Sequence, residues 1–509
     1  MAWNVDEGPV YGLTSQTWQW VAWLAARAFR DYFVLTMRVI SAALLLATHA
    51  VLLYGTRERD SGLAATYAIC SPVCLFMALS GMETPLALFI TSVILCLVYG
   101  ANDSPGVNPT RVRRWSFAIA PLLAVLLYVT RPDALALVLP PLLVERYART
   151  KVLPWRELLI VLLGVGTFLA LFKLVYGTVL PLPFYAKTAA FSPYDDHFRA
   201  LSREVQRIRF GTLAFVALPL VLGALLRRDR MNWTLLATAA LFELYHLAGT
   251  IDVMGMQGRF YAPALPLLVF AGARGLAGVK AESEAKASWL VPRGYLRCVR
   301  LVSYAAGVAL LLRFHFVPTA DDWFMDQVPP SLIVSCILFG SVLSWPVVTA
   351  VRRPLVPAAL ALGTAIASWN LGKPELLNDD AYLTRHASNV TTYRGLDALV
   401  KCLGDSLHIY HSEVGVVGLR FQNGKVTDLA GLLSPRWLFR GSKSFDQLCE
   451  EDDPEAIFLP HKNYVTLNRE IRGGQCLRNY ARVVSRSSSP LYVRKDLLLQ
   501  YRRCAPGKP

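Results

Sequence analysis

The sequence predicts a polytopic α-helical membrane protein with about twelve spans and a small α/β domain at its C-terminal end. Three observations carry that prediction. The 509 residues are 54% apolar and only 17% charged, whereas a soluble globular chain carries about 25% charged residues. The apolar residues gather in runs long enough to cross a hydrocarbon core of ~30 Å. The formal charge of +16 sits mostly in short connections between those runs, so it reports topology before it reports nucleic acid.

Residues 1–33 form an outer loop with an interfacial helix. They hold Trp18, Trp20 and Trp23, a spacing that suits aromatic anchoring at a membrane surface. Apolar runs follow at 34–54, 62–79, 85–100, 115–130, 132–145, 158–176, 211–226, 233–249, 261–279, 301–317, 331–351 and 355–371. The transmembrane part is thus 34–371.

The stretch 115–145, "WSFAIAPLLAVLLYVTRPDALALVLPPLLVE", is too long for one straight span, since a helix rises ~1.5 Å per residue. Pro132 lies at its middle, "RVRRW" precedes it and "ERYARTK" follows it. Two basic flanks belong on one side, so the run folds as a hairpin with "TRPDA" at its tip. With that choice the cytoplasmic connections hold twenty Lys and Arg and the outer ones about ten. Residues 374–509 then lie outside the plasma membrane. Their runs "LHIYHSEVGVVGLRF", "AIFLP" and "PLYVRKDLLL" read as strands, and "RGLDALVKCLG" reads as a helix. Cys402, Cys449, Cys476 and Cys504 make an even count there, which accommodates one or two disulfides with the pairing left open. No Cys/His cluster has the spacing of a zinc site.

Charged groups in or beside spans are expensive and mark function by default. They gather at the outer tips: Glu83 in "SGMETPL", Arg131 and Asp133 in "TRPDA", Tyr185 and Lys187 in "YGTVLPLPFYAK", Asp252 and Arg259 in "GTIDVMGMQGRFYAP". Glu83 before Pro85 suits a helix start with an acid in its first turn, and a plain helix cap is the alternative. Arg131 and Asp133 border a cavity or simply pair with each other. Arg and Lys beside carboxylates at an interface also describe a site for a lipid phosphate. The stretch "DDHFRALSREVQRIR" (195–209) looks like an amphipathic surface helix.

These motifs, in this order, resemble the polytopic type C glycosyltransferases that use polyprenyl-phosphate sugars. The resemblance is nearest the branch with the mycobacterial terminal arabinofuranosyltransferase and a related motility-associated membrane protein. "GPVYGLTSQTW", "SGMET", "RPDA", "YGTVLPLPFYAK", "GTIDVMGMQGRFYAPALPLL" and "SEVGVVGLRFQNGKVTDLAGL" stand where that branch has its own versions, across residues 8–432. The resemblance implies transfer of a sugar from a polyprenyl-phosphate donor to an acceptor glycan, glycolipid or protein outside the membrane, with arabinofuranose as the branch's best-known sugar. It implies catalytic roles for Glu83 and Asp252, donor-phosphate contacts for Lys187, Arg259 and Arg131, and cavity-lining roles for Asp133 and Tyr185. Membrane lipid is a partner and nucleic acid is not. No cofactor is required by the motifs, and a divalent metal is left open because some relatives in the superfamily use one and others do not.

The family carries an initial helix and a loop with paired acids before the first motif. This chain starts after them, and Asp6 and Glu7 do not align with that pair. The expectation is therefore a shortened and inactive N-terminus, and a non-catalytic scaffold or motility factor is the alternative to an enzyme. A transporter is disfavoured by the lack of repeated halves.

Overall fold

The computed structural model describes residues 15–29, 32–56, 82–99, 109–187, 227–249, 260–274, 387–412, 433–460, 464–484 and 490–504, with scattered positions between them such as 74, 77, 217, 220, 221, 224, 225 and 423–429. Expected spans at 301–317, 331–351 and 355–371, most of 62–79 and 211–226, and the surface helix at 195–209 lie outside the described residues. The chain divides into two compact units. One comprises 15–167 and 205–373, and the other comprises 1–14, 168–204 and 374–509.

The first unit is helical. Helix α1 (Gln16–Ala28) starts at Ser15, whose hydroxyl accepts from the Trp18 backbone N–H at 3.2 Å, one of the N–H groups a helix start leaves unpaired. Its Trp18 is buried with Ala25 and Met37, while Trp20 is 64% exposed. This is the in-and-out pattern of a helix lying on a surface. Helix α2 (Phe33–Thr56) packs along α3 (Thr84–Tyr99). Eleven of the residues of α3 are buried, so this helix, apolar all round, runs through the middle of the unit.

The long apolar run breaks where Pro132 predicts. Helix α4 (Pro109–Thr130) ends, Arg131 is extended, Pro132–Ala134 makes one 3-10 turn, and α5 (Leu135–Thr150) returns. The two packed helices are a hairpin. At ~1.5 Å per residue α4 is ~33 Å long and α5 ~24 Å. Helix α6 (Trp155–Tyr176) follows; α2 and α6 are the two described helices long and apolar enough to cross a membrane. Helix α8 (Arg230–Gly249) packs on α5, and α9 (Ala262–Arg274) completes the core.

Ion pairs brace one end of this unit. Glu145 near the end of α5 is 2.6 Å from Arg149 and 3.5 Å from Arg230 at the start of α8. Asp229 binds Arg227 at 2.8 Å and Arg274 at the end of α9 at 3.0 Å. Arg149 also donates to the Val98 carbonyl on α3. Among the described residues, Arg149, Arg227, Arg230 and Arg274 from these basic connections thus meet at one end of the bundle.

The second unit includes the short helix α7 (Leu182–Lys187) and the tail. Helix α10 (Ala387–Leu403) leads into a five-stranded sheet. Its strands are β1 (His408–His411), β2 (Lys425–Asp428), β3 (Ala456–Phe458), β4 (Tyr480–Val484) and β5 (Leu491–Arg494), in the order β2-β1-β3-β5-β4. Strands β2, β1 and β3 are parallel, with Ile409 opposite both Val426 and Ala456; β5 and β4 add as an antiparallel hairpin. The parallel strands are short, almost wholly buried runs, as strands covered on both faces must be. Helices α11 (Pro435–Leu438), α12 (Phe445–Asp452), α13 (Val465–Gly473) and α14 (Leu498–Cys504) surround them. Burial pushes the His408 imidazole down to about 4. The neutral ring therefore donates from Nδ1 to the Asp452 carbonyl and accepts at Nε2 from Thr427, a structural bridge between strand and helix.

The four tail cysteines pair as Cys402–Cys504, joining α10 to α14, and Cys449–Cys476, joining α12 to the turn before β4.

Candidate functional site

The hairpin tip is where buried charge gathers. Helix α3 begins at Thr84, one residue earlier than Pro85, so Glu83 occupies the cap position and not the first turn. Its carbonyl accepts from the N–H groups of Leu86 and Ala87, both at 3.1 Å, and the residue is buried. Thr84, fully buried, faces Arg131 at 3.5 Å from Oγ1 to Nη1. The first outer acid and the hairpin tip therefore meet although 48 residues separate Glu83 from Arg131.

Arg131 is 5% exposed. Its Nε lies 3.1 and 3.2 Å from the two carboxylate oxygens of Asp133. The geometry follows from the sequence: an extended Arg131, a proline that fixes the turn, and an aspartate two residues on whose side chain swings back. On the other side Asp133 Oδ2 lies 3.0 Å from His246 Nε2. The pairing that the sequence left as an alternative is what the structure has: Arg131 and Asp133 are committed to each other. A buried arginine needs such a partner, since an uncompensated charge there would be very costly.

Helix α8 contributes what the sequence reading missed. His246 and, one turn before it, Glu243 lie on the same face. The His246 ring stacks on Phe260 with centroids 5.7 Å apart and planes at 18°, and has Phe242 and Tyr245 edge-on. The Arg131 guanidinium sits 5.6 Å from the centre of the same Phe260 ring, a cation–π distance. Phe260 is thus shared between arginine and imidazole. Both Glu243 carboxylate oxygens are buried, and neither has a hydrogen-bond partner among the described residues. The signal was present in "LFELYHLAG": a Glu and a His three apart inside an apolar run are rare unless they face a protein interior.

The remaining expected residues lie outside the described residues or in the other unit. Asp252 and Arg259 lie outside the described residues. Lys187 ends α7, and nothing of its side chain is described. Tyr185 on α7 belongs to the second unit, where its ring packs edge-on against Phe439 at 5.4 Å. Among the described residues no three His, Cys, Asp or Glu side chains gather as a metal-holding group.

No protein-family model matches the sequence, and no curated protein matches it. Two solved structures do match over nearly the whole chain. One is ArnT from Cupriavidus metallidurans in the apo state, with a TM-score of 0.56 and 14% identity, covering 93% of this chain and 86% of that one. The other is the same protein bound to undecaprenyl phosphate, with a TM-score of 0.56 and 13% identity, covering 95% of this chain and 88% of that one. The fold is similar to that of ArnT. At this identity the ArnT likeness concerns the fold, and the polar cluster at the tip is a property of this chain's own residues.

Proposed function

We propose that this chain is a membrane glycosyltransferase that moves a sugar from a polyprenyl-phosphate donor to a hydroxyl of an acceptor glycan or glycolipid on the outer side of the plasma membrane. The observation that carries the reading is the ArnT-like fold over more than nine-tenths of the chain, one of the matched structures being bound to undecaprenyl phosphate. Two further features support it. Carboxylates, an arginine and a histidine are buried together at one helical tip, an expensive arrangement without a polar ligand to serve. The tail is closed by two disulfides, which form and persist in oxidising surroundings and so favour an extracytoplasmic domain.

In this reading the acceptor oxygen bonds to the anomeric carbon and the bond from that carbon to the phosphate oxygen breaks. The electron pair leaves with the polyprenyl phosphate, and the acceptor proton passes to a carboxylate. Phosphate leaves readily, so the base and the positioning matter more than a general acid. Glu83, buried at the start of α3, is our base, with Asp252 as the second acid. Lys187 and Arg259 hold the leaving phosphate. Arg131, fixed by Asp133, lends its charge to the phosphate site without leaving its partner, and Tyr185 borders the approach. Arabinofuranose is the sugar to try first, on the strength of the sequence motifs.

The test is turnover by the purified full-length chain in lipid nanodiscs, given polyprenyl-phosphate mannose, glucose and arabinofuranose together with a cell-envelope glycolipid fraction as acceptor, and read as release of polyprenyl phosphate. Glu83→Gln is expected to lower kcat by about 10²- to 10⁴-fold, the range for loss of a positioned base. Equal turnover in the variant removes Glu83 from that role, and no release with any donor overturns the reading.

A further inference from the structure

The carboxylates at the hairpin tip are not equivalent. Asp133 has one oxygen pair facing Arg131 Nε and Oδ2 also against His246, so it is spent on holding the tip together. Glu243 is different: both of its oxygens are buried and neither has a partner among the described residues. Its neighbours along α8 are apolar or aromatic, among them Leu241, Phe242, Leu244 and Tyr245. A leucine at 243 would suit such a helix far better, because a carboxylate in an apolar interior forfeits its hydration and gains nothing in return. Such a group is kept where a ligand completes it.

The chemistry of that ligand follows from the donor and acceptor count. A carboxyl group accepts hydrogen bonds in either protonation state and donates at most one, so the ligand must bring donors. Arg131 is a charged neighbour of Glu243 and already carries a positive charge at this spot. In the glycosyltransferase reading the sugar-bearing lipid brings hydrogen-bond donors as sugar hydroxyls, which are neutral and leave the Arg131–Asp133 pair undisturbed. A pair of adjacent hydroxyls suits the two oxygens of a carboxylate. We propose that Glu243 is a specificity residue that grips two hydroxyl groups of the transferred sugar, and so distinguishes the sugar-bearing donor from bare polyprenyl phosphate. The inference rests on the glycosyltransferase reading above. Glu243 takes no proton in it; it positions.

The experiment measures equilibrium binding to the full-length chain in nanodiscs, with bare polyprenyl phosphate and with polyprenyl-phosphate mannose, glucose and arabinofuranose as probes. Wild type binds at least one sugar-bearing probe about tenfold or more tighter than bare polyprenyl phosphate, the scale of one hydrogen bond to a charged group. Glu243→Ala loses that preference and keeps its affinity for bare polyprenyl phosphate. Glu243→Gln, of the same shape, keeps part of the preference. If the preference survives in both variants, or wild type has none, the inference is overturned while the glycosyltransferase reading stands on turnover. If both variants also lose bare polyprenyl phosphate, Glu243 serves the fold and the inference is likewise overturned. If wild type binds none of the probes, it is the underlying reading that fails, and this inference falls with it.

Discussion

Asp133 shows how much a single carboxylate does at the tip. It answers Arg131 on one side and His246 on the other, and Arg131 in turn leans on Thr84 and the Phe260 ring. Asp133→Asn removes the charge that justifies burying Arg131. The expected loss is about 3 to 5 kcal/mol of stability, typical when one member of a buried pair is removed. Adding Arg131→Met should return a large part of it, because the stranded charge then goes too. Thermal unfolding of the single and double variants in nanodiscs checks this, and a double variant as unstable as the single one would refute it. Glu83, Arg131 and Asp133 were legible in the sequence because each sits in a short polar break with proline or glycine beside it. Glu243 and His246 were not, since each stands alone among apolar residues and acquires meaning from Arg131 and Asp133, more than a hundred residues earlier. The sequence also cannot say which of two acids an arginine will choose. It offered Arg131 both to a phosphate and to Asp133, and the structure shows the Asp133 pair.

Among the elements, the hairpin was the most legible. One proline inside an overlong apolar run flanked by basic residues leaves few alternatives, and α4 and α5 turn where Pro132 stands. Their far ends were read short, because both helices continue into basic segments that hydropathy counts as loop. In the tail, β1, β3 and β5 fall within runs read as strands. Strands β2, "KVTD", and β4, "YARVV", escaped notice because they lack an alternating pattern and are defined by what they pair with. The disulfides add a point that no pattern could supply, namely the pairing. Cys402–Cys504 closes 102 residues and Cys449–Cys476 closes 27. In the chain-entropy model those loops correspond to about 4.7 and about 3.6 kcal/mol. Cys504→Ser is thus expected to destabilise the tail more than Cys476→Ser, measured by protease resistance of the full chain under non-reducing conditions. The reverse order would count against an entropic origin.

For the molecule as a whole, composition announced the helical part and the change of composition after 373 announced the tail. That residues 168–204 associate with the tail was invisible, since such grouping depends on contacts between distant segments and not on local character. Charge asymmetry was the better guide to large-scale order: among the described residues Arg149, Arg227, Arg230 and Arg274, from connections rich in Lys and Arg, converge on Glu145 and Asp229. That convergence has a mechanical consequence. Helices α3, α5, α8 and α9 are cross-braced at the Glu145 end, whereas among the described residues the Pro132 end is joined through a single 3-10 turn, the Asp133 contacts and the contacts of Arg131 with Thr84 and Phe260. The bundle is built like a clothes peg, with its spring at the braced end and its jaws at the tip. Spin labels at Ala136 and Leu244, both exposed near the tip, should report a changed distance when donor lipid is added. Labels at Tyr147 and Trp233, exposed near the braced end, should not. A shift at the braced end alone would invert the picture; a shift confined to the tip is what a spring at the braced end requires.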